Sequence, residues 1–189
     1  MLLADTLRVL LGTAPVPGPG RSAMSATDQL LANARARARG LPQGDHASPP
    51  ALGLAVVACM DARLDVYRVL GLSEGDAHVI RNGGGAVTSD VRRSLAISQR
   101  LLGTREIVLV HHTDCGMAGF TDDDFKQQIQ DEVGIRPDWA AEAFTDLDTD
   151  VLQSIRRIEV DPFIPCTDRV RGFVYDVVTG ELREVRRPG

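Results

Sequence analysis

Apolar residues in this chain fall into two kinds of pattern. Some form short unbroken runs, and others recur every three or four positions inside polar segments. The run LGLAVVAC at 52–59 is too short for a globular helix and suits a strand buried on both faces. DAHVIRNGGG at 76–85 reads as a second strand running into a glycine turn, and EIVLVHH at 106–112 as a third buried strand. Helical spacing marks TSDVRRSLAISQRLLG, where Thr88 or Ser89 caps the start, Gly103 ends it, and Val91, Leu95, Ile97, Leu101 and Leu102 recur along it. Of these, Val91, Leu95 and Leu102 are read as core. RLDVYRVLG predicts a short helix closed by Gly71. TDDDFKQQIQDEVG predicts a helix with acids in its first turn, where the helix dipole favours them. TDVLQSIRRIEVDP predicts a helix stopped by Pro162, and VRGFVYDVVTGELREV a strand and hairpin turning about Thr179 and Gly180. Strands alternating with helices imply an α/β fold: a mainly parallel sheet flanked by helices.

The N-terminal portion follows different rules. PVPGPG can be neither helix nor central strand, and residues 1–23 lack the basic start of a secretory signal, so a disordered extension is expected there. MSATDQLLANARARARG reads as a helix capped by Thr27 or Ser25 and ended by Gly40; with the linker GLPQGDHASPPA it forms an N-terminal helical arm over residues 24–51. Residues 52–189 make the α/β domain. The length, 189 residues, and the 43% hydrophobic content support one core. A net charge of −5 argues against a nucleic-acid footprint. Three cysteines, an odd number in a chain of this size, favour a reduced cytoplasmic protein with free or metal-bound thiols.

Candidate chemistry gathers where two strands end. CMDARLD closes the first run and spaces Cys59, Asp61 and Arg63 by two, which in an extended chain places all three on one face. The alternative is a strand end followed by a surface ion pair. HHTDCG closes the third run, and its His112 and Cys115, three apart around a turn, can reach one ion. Ligand sites in open parallel sheets lie at the carboxyl ends of strands. Cys59, His112 and Cys115 would be two thiolates and an imidazole, a set that suits Zn²⁺ and leaves a fourth position open, as in catalytic rather than structural sites. Several other residues read more plainly. Cys166 is a packed thiol, Asp114 a turn residue or a partner to the site, and Asp122–Asp124 a solvated helix start. His111, on the opposite strand face from His112, is a packed histidine. His78 is a proton-shuttle candidate by residue type alone. Asn82 and the glycines after it shape a loop beside the site.

CMDAR followed by HTDCG resembles the β-class carbonic anhydrases, whose pattern is C-x-D-x-R and then H-x-x-C-G. VIRNGGGAVTSD between them resembles that family's R-N-x-G loop and following helix. The resemblance spans about Met24 to the C-terminus and looks like the shorter bacterial branch. It implies Zn²⁺ held by Cys59, His112 and Cys115, and reversible hydration of carbon dioxide to bicarbonate and a proton by a lyase. It implies Asp61 and Arg63 as the catalytic pair, with Asp61 able to become a fourth zinc ligand in a closed state, and the Gly116 backbone N–H as a donor to substrate oxygen. It also implies a homodimer or dimer of dimers, in which the N-terminal helix, with Leu30, Leu31 and Ala34, packs on the neighbouring subunit. Two departures stand out. The loop reads RNGGG where many members have R-N-A-G-N, and HASPPALGL holds none of the glutamine that many members place before the first cysteine. They leave open a carbonyl sulfide or carbon disulfide hydrolase on the same scaffold, and a third reading is a non-catalytic zinc module for assembly. No membrane segment and no nucleic-acid partner are expected.

Overall fold

The computed structural model describes residues 25–40 and 47–187. The expected extension at 1–23 and residues 41–46 of the expected linker lie outside these. Helix α1, Ala26–Ala38, begins with a reciprocal cap in which Ser25 Oγ accepts the Asp28 N–H at 3.1 Å and the Asp28 carboxylate accepts the Ser25 N–H at 3.2 Å. Ser25 is thus the cap, and no residue of this helix is buried.

The remaining elements run β1 (Leu54–Cys59), α2 (Val66–Leu70), β2 (Ala77–Asn82), a 3₁₀ turn (Gly83–Gly85), α3 (Ser89–Leu102) and β3 (Glu106–His112). A second 3₁₀ turn (Gly116–Ala118), α4 (Asp122–Val133), α5 (Leu147–Glu159), β4 (Val170–Tyr175) and β5 (Leu182–Val185) follow. They form one five-stranded sheet in the order β2-β1-β3-β4-β5. Every neighbouring pair is parallel except β4 and β5, the hairpin expected from the sequence. The expected stops hold. Thr88 caps α3 through its side chain and Gly103 ends it, and α5 ends at Val160, before Pro162. Helix α5 starts two residues earlier than the pattern suggests, because Asp146 accepts the Thr149 N–H at 2.8 Å and supplies the cap.

Strand alternation divides the core. Ala55, Val57, Ile107 and Leu109 face one way and pack with Val91 and Leu95 of α3 and Val151, Ile155 and Ile158 of α5. Val56, Ala58 and Val110 face the other way, with Leu64, Val66 and the partly buried Val69 and Leu70 around α2. The α3 pattern is only half used by the core: Val91 and Leu95 are buried, but Ile97 and Leu101 are exposed. Both lie outside the i, i+4 row that meets the sheet, and they line an open groove of about 550 Å³ with Phe163.

The strand order places the site. From β1 the chain moves to β2 on one side, then crosses over to β3 and β4 on the other. The winding therefore reverses between β1 and β3, and the crevice at their carboxyl ends is the switch point where open α/β sheets bind ligands. Ala58 is in register with Val110, so β1 ends at Cys59 beside the His111–His112 end of β3.

Candidate metal centre

The Cys59, His112 and Cys115 ligating atoms converge within 4.8 Å of one another. The two sulfurs are 3.9 Å apart. Two thiolates of one tetrahedral ion, each about 2.3 Å from it, would stand roughly 3.8 Å apart. His112 is fully buried, and its Nδ1 lies 2.9 Å from the Thr113 carbonyl. Donation to that carbonyl puts the proton on Nδ1 and leaves a lone pair on Nε2, which is buried without a hydrogen-bond partner. An orphaned acceptor beside two sulfurs is costly unless a cation completes it, so the donor set fits a soft divalent metal.

The two sulfurs influence each other directly, in opposite directions. The Cys115 hydrogen bond draws the Cys59 thiol well below the usual thiol range; burial opposes this, and His112 assists it. Cys115 moves the other way, because the bond to Cys59 favours its neutral form and burial adds to that. Burial opposes charge on His112, but the adjacent Cys59 sulfur and its negative charge outweigh it and raise the imidazole.

Asp61 and Arg63 meet, though not by the expected route. Strand β1 ends at Cys59, and the next residues turn rather than extend. The Asp61 carboxylate accepts the Arg63 backbone N–H at 2.8 Å, and the Asp61 carbonyl accepts the Leu64 N–H at 3.1 Å. This aspartate-led turn, not strand alternation, brings the two together. Arg63 then grips Asp61 with its fork, Nε to Oδ1 at 3.0 Å and a terminal nitrogen to Oδ2 at 2.8 Å. Those side-chain bonds, with the backbone bond from Arg63, hold Asp61 far below the usual carboxylate range although burial opposes it. Asp61 Oδ2 stands 3.8 Å from His112 Nε2. Asp114, at φ 54 in the tight turn, accepts from Arg63 through Oδ2 at 2.6 Å and through its carbonyl at 2.8 Å, so it is both turn residue and partner to the pair.

The glycine loop closes the other side. A Cβ on Gly85, which has φ +72, would stand 3.0 Å from the Cys59 nitrogen and 3.1 Å from the Ala58 carbonyl carbon. Asn82 donates to the Ala86 carbonyl at 2.9 Å and so pins the ends of the glycine turn together. In the sequence Arg81 stands only as part of the R-N-x-G loop motif. It donates to the Cys59 carbonyl at 2.9 Å and to the Asp61 carbonyl at 2.7 Å, tying both halves of CMD to β2. Its position immediately before Asn82 was the available signal. Gly116 follows Cys115 at the exposed start of the second 3₁₀ turn.

The other readings sort cleanly. His111 is 1% exposed and faces α5, its Nδ1 3.1 Å from Asp150 Oδ2, on the opposite side of β3 from His112. His78 Nδ1 is bonded to Ser98 Oγ at 2.7 Å, which Ser98 relays to Thr104. Cys166 stands outside the ligand group, its sulfur 3.5 Å from an Arg105 nitrogen. Of the three acids opening α4, Asp123 is solvated, but Asp122 is half-buried and bonded to a distant loop, unlike the expected solvated start.

Known proteins resemble this chain in the same regions. The carbonic anhydrase family model matches residues 54–161. "Beta-carbonic anhydrase 1" of Mycobacterium tuberculosis is 63% identical over 162 residues, 86% of this chain and 99% of that protein. A carbon disulfide hydrolase of an Acidianus strain is more distant, 33% identical over 173 residues, 78% of this chain and 81% of that one. The crystal structure of carbonic anhydrase from Streptococcus mutans superposes with a TM-score of 0.82 at 40% identity, covering 87% of this chain and all of that one. With the mainly parallel sheet and the strand-end Cys/His/Cys cluster, these likenesses show that the chain belongs to the β-carbonic anhydrases.

Proposed function

We propose that this chain catalyses the zinc-dependent, reversible hydration of carbon dioxide to bicarbonate and a proton. One observation carries the reading: the partnerless, buried Nε2 of His112 converges with two sulfurs 3.9 Å apart at the sheet's switch point. Cys59, His112 and Cys115 would hold the ion. Zn²⁺ in such a set supplies a Lewis acid that makes water nucleophilic near neutral pH.

The remaining work belongs to the protein. Asp61, kept ionised by Arg63, accepts a proton in a hydrogen bond and so orients the attacking water's lone pair toward carbon dioxide. Arg63 fixes that carboxylate through a planar fork, which prevents it from swinging to the ion as a fourth ligand. Asp114 holds the far side of the guanidinium at 2.6 Å, so the fork has one orientation. The Gly116 N–H is a donor for a substrate oxygen.

The 63% relative supports carbon dioxide over carbon disulfide, for which the relative is 33% identical. Bicarbonate formation from carbon dioxide, measured beside hydrogen sulfide release from carbon disulfide and carbonyl sulfide, separates the two. Hydration as the dominant activity supports the proposal, and sulfide release as the dominant activity refutes it.

We infer further that the protein is at least a homodimer. Helix α1 has 13 residues, none buried, with Leu30 and Leu31 exposed, and a helix so short is marginal without a partner surface. Residues 1–23 are proposed to be dispensable, 24–51 to form the arm and 52–189 the catalytic domain. A cytoplasmic location is proposed from the free state of Cys59, Cys115 and Cys166. Among the described residues no helix is long and apolar enough to cross a membrane.

A further inference from the structure

Helix α4 opens with three carboxylates that do three different things. Asp124 closes the cap, accepting from the Thr121 hydroxyl at 2.7 Å. Asp123 pairs with Arg136 at 2.7 Å in solvent. Asp122 reaches across to another segment: Oδ2 accepts the Ala141 N–H at 2.8 Å and the Glu142 N–H at 3.3 Å, and Oδ1 accepts the Ala143 N–H at 2.8 Å. Three successive backbone N–H groups converging on one carboxylate form an anion nest whose anion is the protein's own. The segment is held under strain. Glu142 sits at φ 63, a left-handed conformation that a non-glycine residue keeps only where its surroundings impose it. Its side chain is fixed too, 2.7 Å from Arg157 of α5.

The next residue past this nest packs beside the glycine turn that flanks the metal centre. The Phe144 N–H donates to the Met117 carbonyl at 3.3 Å, and its ring centroid is 6.3 Å from that of His111. A Cβ on Gly84, which has φ +76, would lie 3.3 Å from Met117 Cγ and 3.9 Å from Phe144 Cε1. One on Gly83 would lie 3.7 Å from Met117 Sδ. Met117 and Phe144 therefore rest on the glycine turn whose last member, Gly85, abuts the backbone of Cys59. Met117 itself is two residues past Cys115. RNGGG suits this arrangement, because a side chain at Gly84 would compete with Met117 for its place.

We propose that Asp122 is a positioning residue for the wall of the active site. By gathering the N–H groups of Ala141, Glu142 and Ala143 it seats Phe144 and Met117 on the Gly83–Gly84 turn, and so fixes the backbone on both flanks of the Cys59, His112 and Cys115 centre. This rests on that centre being the active site. Asp122 acts through the loop and touches no ligand residue.

The test uses the full zinc-loaded chain and Asp122→Ala, with Asp123→Ala as the neighbouring control. Amide hydrogen exchange should accelerate in Asp122→Ala over both 140–146 and 113–119, and in neither segment for Asp123→Ala. The kcat/KM for carbon dioxide should fall about tenfold, carried by kcat, because misplaced walls degrade orientation more than encounter. Zinc content should stay at the parent level. Adding Phe144→Ala to Asp122→Ala should cost little more than either change alone, because both break one unit. If Asp122→Ala fails to fold, Asp122→Asn, which keeps one acceptor oxygen, carries the same readouts. Parent-like protection over 113–119, unchanged kcat/KM, or additive losses would each overturn the proposal. If the parent chain itself did not hydrate carbon dioxide, the functional reading would fail, and the exchange of 113–119 would still decide whether Asp122 seats this wall.

Discussion

Arg63 holds Asp61 through two parallel hydrogen bonds of 3.0 and 2.8 Å, which leaves the carboxylate 3.8 Å from His112 Nε2 but tied to the guanidinium. The pair is set by a tight turn, so its geometry depends on the fork more than on the backbone beyond it. Arg63→Lys keeps the charge and loses the second bond. Zinc content should be unchanged while kcat/KM falls on the order of tenfold, with Asp61 freed to bind the ion. Metal analysis beside stopped-flow hydration checks this, and parent-like kinetics would remove the gating role from the pair.

Asp61→Asn tests the acceptor itself. An amide oxygen is neutral and its other end is a donor, so the water it should orient is held poorly. Turnover should drop about a hundredfold with metal retained, as expected for loss of a positioned proton acceptor. A variant within twofold of the parent would show that Asp61 is structural.

Gly85→Ala should destabilise the fold and the site together. The new methyl would meet the Cys59 nitrogen at 3.0 Å in a backbone conformation that side chains disfavour. A cost of about 1–3 kcal/mol and weakened metal retention are expected, read by chemical denaturation and by zinc loss to a chelator.

The edge hairpin gives a pH signature away from the centre. Glu184 is held down to about 2 from an ordinary value of 4.5, by Arg171 first and then Arg186. Its folded value is depressed, so its contribution is complete above pH 4.5 and disappears as pH falls toward 2. Glu184→Gln should therefore melt below the parent at neutral pH, and the gap should close through that window. A gap that persisted at the acid end would place the effect in packing instead.

Much of this centre is legible in the sequence. Val56–Ala58 and Ile107–Val110 are continuous apolar stretches, so both strands and their shared end were visible, and strand alternation separated His112 from His111. Asp61 and Arg63 do meet, but not as the sequence suggests: spacing by two points to an extended face, whereas Asp61 makes its own turn. Asp122 was misread because a first-turn acid is ordinarily explained by the helix dipole, and the N–H groups it gathers lie about twenty residues away. The exposed Ile97 and Leu101 show the converse limit, since apolar periodicity names a face without saying what covers it. Asp150, beside His111, had no local signal at all, because only the packing of α5 on β3 brings it there.

Metal dependence bears most directly on the central claim. The chain should be stripped of metal, titrated with Zn²⁺ and followed by carbon dioxide hydration, beside Cys59→Ser and Cys166→Ser. Activity should rise in proportion to zinc and saturate at one ion per chain, Cys166→Ser should match the parent, and Cys59→Ser should neither hold zinc nor turn over. A Cys59→Ser protein that bound zinc and hydrated carbon dioxide like the parent would contradict the assignment.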